Sequence, residues 1–510
     1  MVKFRDYQLE DITRWVDLGY RALWAWDPGL GKTFVSGFIS KRMLVTKRAE
    51  VVAIFCPASV LSTWIHHLVE KVGIKKEDIF LAYKKNKRNI YKGQRFILLN
   101  YEMIYNESKK TKKQKASVRM VINSEGRMEI CQDKATEKGV RSRGVNLPVK
   151  PDMWILDESH SLKNPDGIAY KFFKENIAPE DKVLALSGTP APNRHVDCYT
   201  QVDILKPGVL GTNIHHFHNR HCLCIDKQYG LWAVKPTAIP VIEKAASEVW
   251  MFRDAKKILG LPDHTDMFEP YYPTQEQKSY INRLCAGGMA CFDNEEGTEQ
   301  SIVLKSPGVA RIMSQQVLTG YVDMEVTEAF TNRKVPVIKS LDMEPKYIAL
   351  KSILNKVNGR KILVWTHFKP TMKYLVERLA ADGYKVDGFS SDDKKNLETR
   401  IKEFTDGDIQ ILVSHPKILG IGRNEFAQVP YMAWYELTDD WGLYKQAVTR
   451  IDRFGKTEPT FSFILMGSRL DRKIYDALCE KKDVDTALRS YTGEETSPDK
   501  DSASDYPVLF

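Results

Sequence analysis

Long apolar runs are what this 510-residue chain most plainly lacks. The longest, such as Val51 to Phe55 and Ile411 to Val413, fall far short of the roughly 20 residues that span a bilayer, so no membrane helix is expected. No apolar leader follows Met1, which runs into Lys3, Arg5 and Asp6, so no secretory signal is expected. Cysteine is sparse. The eight residues include no CxxC pair, and Cys222 with Cys224 is the only close spacing, which argues against a zinc ribbon and for a reduced cytoplasm. Nor is the composition that of a disordered or fibrous protein, since 43% of residues are hydrophobic and 28% are charged. At about 150 residues per domain the length predicts roughly three domains, each able to bury its own core.

Acidic residues are in the minority: 66 Asp and Glu stand against 76 Lys and Arg, a net charge of +10 that is compatible with a polyanionic partner. The excess is concentrated. Residues 106–150 hold 12 basic and 5 acidic side chains, a net of +7.

Short apolar runs alternate with helical patterns in the first third, at Arg21 to Trp26, Val51 to Cys56, Arg95 to Asn100, Met153 to Leu156 and Val183 to Leu186. Flanked by helix-like stretches such as Val60 to Val72, they predict buried strands of a mostly parallel sheet. A second alternation follows Pro345, with strands expected at Lys361 to Thr366, Tyr384 to Phe389, Ile409 to Ser414, Tyr431 to Glu436 and Thr460 to Met466. The fold expected is therefore α/β, with two parallel-sheet lobes over 1–205 and 344–490. Between them, 206–343 is expected to be a helical insertion and linker, with helices around Gln275 to Leu284 and Val309 to Leu318. The tail 491–510 is rich in Ser, Asp and Glu and is expected to be disordered.

Asp27 to Thr33 reads DPGLGKT, directly after one predicted strand and before a predicted helix. Glycines there let backbone N–H groups face phosphates at a helix N-terminus, Lys32 brings a charge to the β and γ phosphates, and the Thr33 hydroxyl can ligate Mg²⁺. Trp26 occupies the first glycine position of the strict phosphate-loop pattern. About 125 residues downstream of Lys32, MWILDESH ends an apolar strand in two adjacent carboxylates. Ligands of open α/β sheets bind at carboxyl ends of strands, so Asp157 is expected to share the crevice and hold Mg²⁺, with Glu158 orienting the attacking water. In QAVTRIDRFGK, Arg450 and Arg453 lie three apart, which predicts one helix face and cations for the charge developing on a γ-phosphate.

In order, these segments resemble the motifs of Swi/Snf-type ATPases of helicase superfamily II. RDYQLEDI, with Gln8, looks like the adenine-reading Q motif; DPGLGKT resembles motif I, with Asp27, Gly29, Leu30, Gly31, Lys32 and Thr33 as its nucleotide-binding positions. VVAIFCPASVLSTW is similar to motif Ia, DESHSLKN to an extended motif II, and LSGTPAPN to motif III. FRDAKKILGLP resembles the segment that enters the second lobe, KILVWTHF motif IV, SHPKILGIGRN motif V and QAVTRIDRFGK motif VI. Trp26, Pro28 and Arg423 depart from the usual pattern, and none removes a catalytic group.

The resemblance implies two RecA-like lobes and ATP with Mg²⁺ as cofactors. It makes Lys32, Asp157, Glu158, Gln446, Arg450 and Arg453 the catalytic set, with Arg450 and Arg453 as trans-lobe fingers. It also implies a duplex DNA track held mainly through phosphates, with Ser187, Thr189 and Ser414 among the contacts. KKTKKQK with the alternating SVRMVINSEGRMEICQ predicts a basic β-hairpin, in which Lys109, Lys110, Lys112 and Lys113 would touch DNA; a solvated loop is the alternative. HHFHNRHCLC packs four His and two Cys into ten residues, but the spacings do not follow structural zinc patterns, so no structural zinc is expected. So compact a motor resembles a monomeric phage or bacterial enzyme of the cytoplasm, remodelling branched DNA by branch migration, fork reversal or unwinding in replication, recombination or repair. A roadblock-clearing duplex translocase, an RNA helicase and a nucleotide-gated DNA clamp are the alternatives.

Overall fold

In the computed structural model the first apolar runs become strands β1 (Arg21–Trp26), β2 (Val52–Cys56) and, after an unanticipated strand β3 (Ile79–Ala82), β4 (Phe96–Asn100). A hairpin pairs β5 (Val118–Ile122) with β6 (Met128–Gln132) antiparallel, and β7 (Met153–Asp157) and β8 (Lys182–Leu186) follow. A second antiparallel pair, β9 (Cys222–Asp226) and β10 (Leu231–Val234), precedes β11 (Trp250–Arg253). The structure describes residues 4–82, 91–108, 118–122, 128–132, 147–226, 231–285, 289–293, 299–303, 307–328, 334–390, 397–419, 425–453 and 456–491.

The first sheet has the order β11-β1-β8-β7-β2-β4-β3, and the pairings among β1, β8, β7, β2, β4 and β3 are all parallel. Parallel strands need helical crossovers, which cover both faces. That is why β2, β4 and β7 are buried at every position and read as unbroken apolar runs. The N-terminal helix Asp6–Asp17 turns Gln8, Asp11 and Trp15 inward, a spacing of three and four residues that lines one helical face. The helix expected from Val60 to Val72 is Leu61–His66 continued by a wider turn, His67–Lys71.

The chain divides into two units, Met1–Phe252 and Arg253–Phe510. In the second, β12 (His264–Pro270) comes first, and β13 (Met289–Asp293), β14 (Glu299–Val303), β15 (Tyr321–Glu328) and β16 (Lys334–Ser340) form an antiparallel sheet. Then β17 (Ile362–Trp365), β18 (Val386–Phe389), β19 (Ile411–Ser414), β20 (Tyr431–Trp434) and β21 (Thr460–Met466) join β12 in an all-parallel sheet of order β12-β21-β20-β17-β19-β18. Alternate residues of β17 serve opposite faces: Ile362 and Val364 enter one apolar cluster, Leu363 and Trp365 the other. The segment 206–343 therefore differs from a purely helical insertion. Its helices Gln275–Cys285 and Pro307–Thr319 stand beside a four-stranded sheet, and two strands within it, β11 and β12, belong to the first and second parallel sheets. Among the described residues no helix is long and apolar enough to cross a membrane.

Candidate active site

Because β1, β8 and β7 are parallel neighbours, their carboxyl ends deliver three loops to one edge of the first sheet. After β1 comes the loop Asp27–Gly31. Gly29 (φ 89°) and Gly31 (φ 87°) take left-handed backbone that a side chain would strain, and Gly31 caps the helix Lys32–Val45. Lys32 and Thr33 thus open that helix, where the helix dipole favours an anion. Lys32 Nζ donates to the carbonyls of Trp26 and, at 3.3 Å, of Asp27.

Gln8 lies against this loop. Its Nε2 donates to the Leu30 carbonyl at 3.1 Å, as Tyr7 Oη does at 2.7 Å, and its Oε1 accepts from Arg5 N. A Cβ on Gly31 would stand 3.3 Å from Gln8 Nε2, so the close approach also favours glycine. Leu30 offers this assembly its backbone only, its side chain being buried, and Asp27 is buried as well.

The loop after β7 carries the carboxylates. Asp157 is buried; its Oδ2 accepts from Trp64 Nε1 at 2.7 Å and its Oδ1 from Glu158 N at 3.1 Å, while Tyr101 Oη donates to its carbonyl. Burial, and next the charge of Glu158, push its carboxyl well above the usual range; Trp64 and Lys32 oppose the shift. Glu158 adopts φ 52°, a left-handed conformation costly for a non-glycine residue, of order 1–3 kcal/mol. Its Oε2 lies 3.3 Å from His160 Nδ1, which is 3.2 Å from Ser187 Oγ at the end of β8. Ser159 Oγ donates to Gln201 Oε1 at 2.8 Å, and Gln201 Nε2 donates to the Pro190 carbonyl, tying the second loop to the third.

Several expected residues sit differently. Ser187, Thr189 and Ser414 are buried, and two of their hydroxyls hold strand ends: Ser187 Oγ accepts from Thr189 N at 3.2 Å, and Ser414 Oγ donates to the Phe389 carbonyl at 3.1 Å. As placed, the Ser187 and Ser414 hydroxyls brace loops. Arg450 and Arg453 do not share a helix face, because the helix Trp441–Ile451 ends before Arg453. Arg450 is buried on that helix with Gln446, whereas Arg453 Nε donates to the Thr449 carbonyl at 2.8 Å, where positive charge complements the helix C-terminus. Lys109, Lys110, Lys112 and Lys113 lie outside the described residues, and β5 and β6 beyond them pair antiparallel.

In the histidine-rich stretch, His218 stacks on Trp232 with centroids 4.2 Å apart, His216 Nδ1 meets Thr212 Oγ1 at 2.7 Å, and His221 is buried. No three His, Cys, Asp or Glu side chains come together as a metal site among the described residues. Tyr7, Trp64, Tyr101, His160 and Gln201 organise the site without having been singled out in the sequence, and the partners of Trp64, Tyr101 and Gln201 are distant in the chain.

Residues 19–306 match the family model for the SNF2-related domain, and residues 345–455 that for the helicase conserved C-terminal domain. A Bacillus subtilis protein described as an uncharacterized ATP-dependent helicase, YqhH, is 22% identical over 468 residues, spanning 88% of this chain and 73% of that protein. Among solved structures, the Sulfolobus solfataricus SWI2/SNF2 ATPase core in complex with dsDNA aligns over 97% of this chain and 95% of its own, at 19% identity and a TM-score of 0.40. Dbp5 of S. cerevisiae, solved with RNA and ADP BeF3, aligns over 96% and 94% at 11% identity and a TM-score of 0.50, a likeness of fold. With the SNF2 match running through more than half of its length, the chain belongs to the SNF2-related family of helicase-type ATPases.

Proposed function

We propose that the chain is an ATP- and Mg²⁺-driven motor of the cytoplasm that moves along duplex DNA and remodels branched DNA by branch migration, fork reversal or unwinding. The observation that supports this reading is that Lys32 and Thr33 follow the carboxyl end of β1, and Asp157 and Glu158 that of β7, on either side of β8 along one edge of the first sheet, in a chain of the SNF2-related family. Thr33 and Asp157 offer a hydroxyl and a carboxylate, hard oxygen donors of the kind Mg²⁺ takes. Each Asp157 oxygen accepts one hydrogen bond and keeps a second lone pair, and a cation would favour the ionised form that burial penalises. Mg²⁺ there would neutralise charge on the β and γ phosphates.

Lys32 binds those phosphates as a point charge, Glu158 orients the attacking water and takes its proton, and Gln8 contacts the base. Arg450 and Arg453 answer the charge that develops on the γ-phosphate, and Gln446 couples nucleotide state to movement. Lys109, Lys110, Lys112 and Lys113 supply phosphate contacts indifferent to base sequence.

Steady-state ATP hydrolysis, measured with matched amounts of single-stranded DNA, linear duplex, four-way DNA and RNA, tests the reading. Stimulation by DNA, greatest with four-way DNA and falling steeply with salt, is expected. Equal stimulation by linear duplex would favour general translocation, and stimulation confined to RNA would overturn the DNA assignment.

A further inference from the structure

The position at which a strict phosphate loop has its first glycine is Trp26 in this chain, and the structure shows what the indole does there. Trp26 ends β1 in ordinary extended backbone, so nothing about the position demands glycine. Its side chain is fully buried and stacks on Trp24, with centroids 4.4 Å apart and planes within 5°. Tyr7 meets it edge-on at 5.3 Å. The indole Nε1 donates to Asp11 Oδ2 at 2.6 Å, and Asp11 is itself buried on the N-terminal helix. A charge-assisted bond shielded from water is among the stronger contacts a protein makes.

That helix grips the loop at two places. Asp11 holds the start of the loop through Trp26, and Tyr7 and Gln8 hold its far end through the Leu30 carbonyl. Between them Pro28 has a fixed φ and lies against Gly188, where an added Cβ would stand 3.2 Å from Pro28 Cδ. The Trp26 carbonyl also receives Lys32 Nζ. The loop is restrained at Trp26, which leads into it, and at Pro28 and Leu30 within it, and only the first restraint depends on a side-chain pair that departs from the glycine pattern.

We propose that Asp11 and Trp26 are positioning residues whose latch pre-organises the phosphate loop, so that its N–H groups and Lys32 meet a triphosphate without first being ordered. A loop fixed before binding gains affinity because less conformational freedom is lost on binding. The inference rests on the reading of DPGLGKT as a phosphate loop, and because the latch acts on the loop it serves any nucleoside triphosphate alike.

The test is steady-state hydrolysis of ATP and GTP by the full chain in saturating DNA, with the variants Trp26→Phe and Asp11→Leu. Each loses one charge-assisted bond and is expected to raise the KM for both nucleotides about tenfold with kcat within about twofold of the parent. The GTP-to-ATP ratio of kcat/KM should stay unchanged. Asp11→Asn keeps an acceptor and should restore KM to within about threefold of the parent. The double variant Asp11→Leu, Trp26→Phe leaves no orphaned polar group and decides the matter if a single variant does not fold. Unchanged KM in folded variants would overturn the latch, as would a loss confined to ATP, which would assign the helix to base recognition. A parent-like rate in Lys32→Ala would instead remove the phosphate-loop reading itself.

Discussion

Replacing Glu158 by Gln should leave ATP binding within about threefold of the parent while lowering DNA-stimulated kcat by about 10² to 10⁴, the range of a positioned general base. The substitution keeps the shape of the side chain but removes both its charge and its basicity. The surrounding scaffold explains why the effect should fall on rate alone. Glu158 is held in a left-handed conformation directly after β7, with Oε2 beside His160, and Ser159 anchored to Gln201. None of these contacts touches the phosphate loop. The charge of Glu158 is also one cause of the raised Asp157 carboxyl, so the amide should ease ionisation of Asp157 and not impair it. Equilibrium binding of a fluorescent ATP analogue, set beside steady-state kinetics, separates the two quantities. A kcat within tenfold of the parent would remove Glu158 from the proton-transfer role.

Lys32→Ala should have the second large effect, lowering kcat/KM for ATP by about 10³ through both weaker binding and slower chemistry. Lys32 begins its helix at the point where the dipole already favours anions, and its Nζ reaches back over the loop to the Trp26 and Asp27 carbonyls. Its side chain is not part of the core, so thermal melting should move little. The contrast with Glu158→Gln is informative. A clamp that only binds nucleotide would lose DNA affinity in Lys32→Ala yet behave like the parent in Glu158→Gln, whereas a motor loses work in both.

The strands legible in the sequence were those buried on two faces. β1, β2, β4, β7 and β8 are continuous apolar runs because helices cover both sides of the sheet, and β17, β19 and β20 of the second lobe are legible for the same reason, whereas β18 is a part-buried edge strand that was anticipated all the same. The three strands not anticipated in the parallel sheets, β3, β11 and β12, are all edge strands. In β12, HTDMFEP, exposure alternates, and its Asp266 and Glu269 break any apolar run. Spacing alone also placed Arg450 and Arg453 on one face, which fails because the helix stops at Ile451. For the candidate site, the glycine loop and the carboxylate pair are visible in the sequence because each is a short local segment. Their supports could not: Trp64 is 93 residues from Asp157 and Gln201 is 42 from Ser159, so only the fold brings each pair together. Likewise the burial of Ser187, Thr189 and Ser414 follows from strand packing, which a motif does not encode.

The central claim is that ATP turnover drives movement along duplex DNA. Displacement of a fluorescent third strand from a linear duplex, followed with the full chain, Mg²⁺ and ATP, tests it most directly. ATP-dependent release, absent with a non-hydrolysable analogue and in Glu158→Gln, is the result predicted. A third strand that stays bound while ATP is hydrolysed at the DNA-stimulated rate would contradict it.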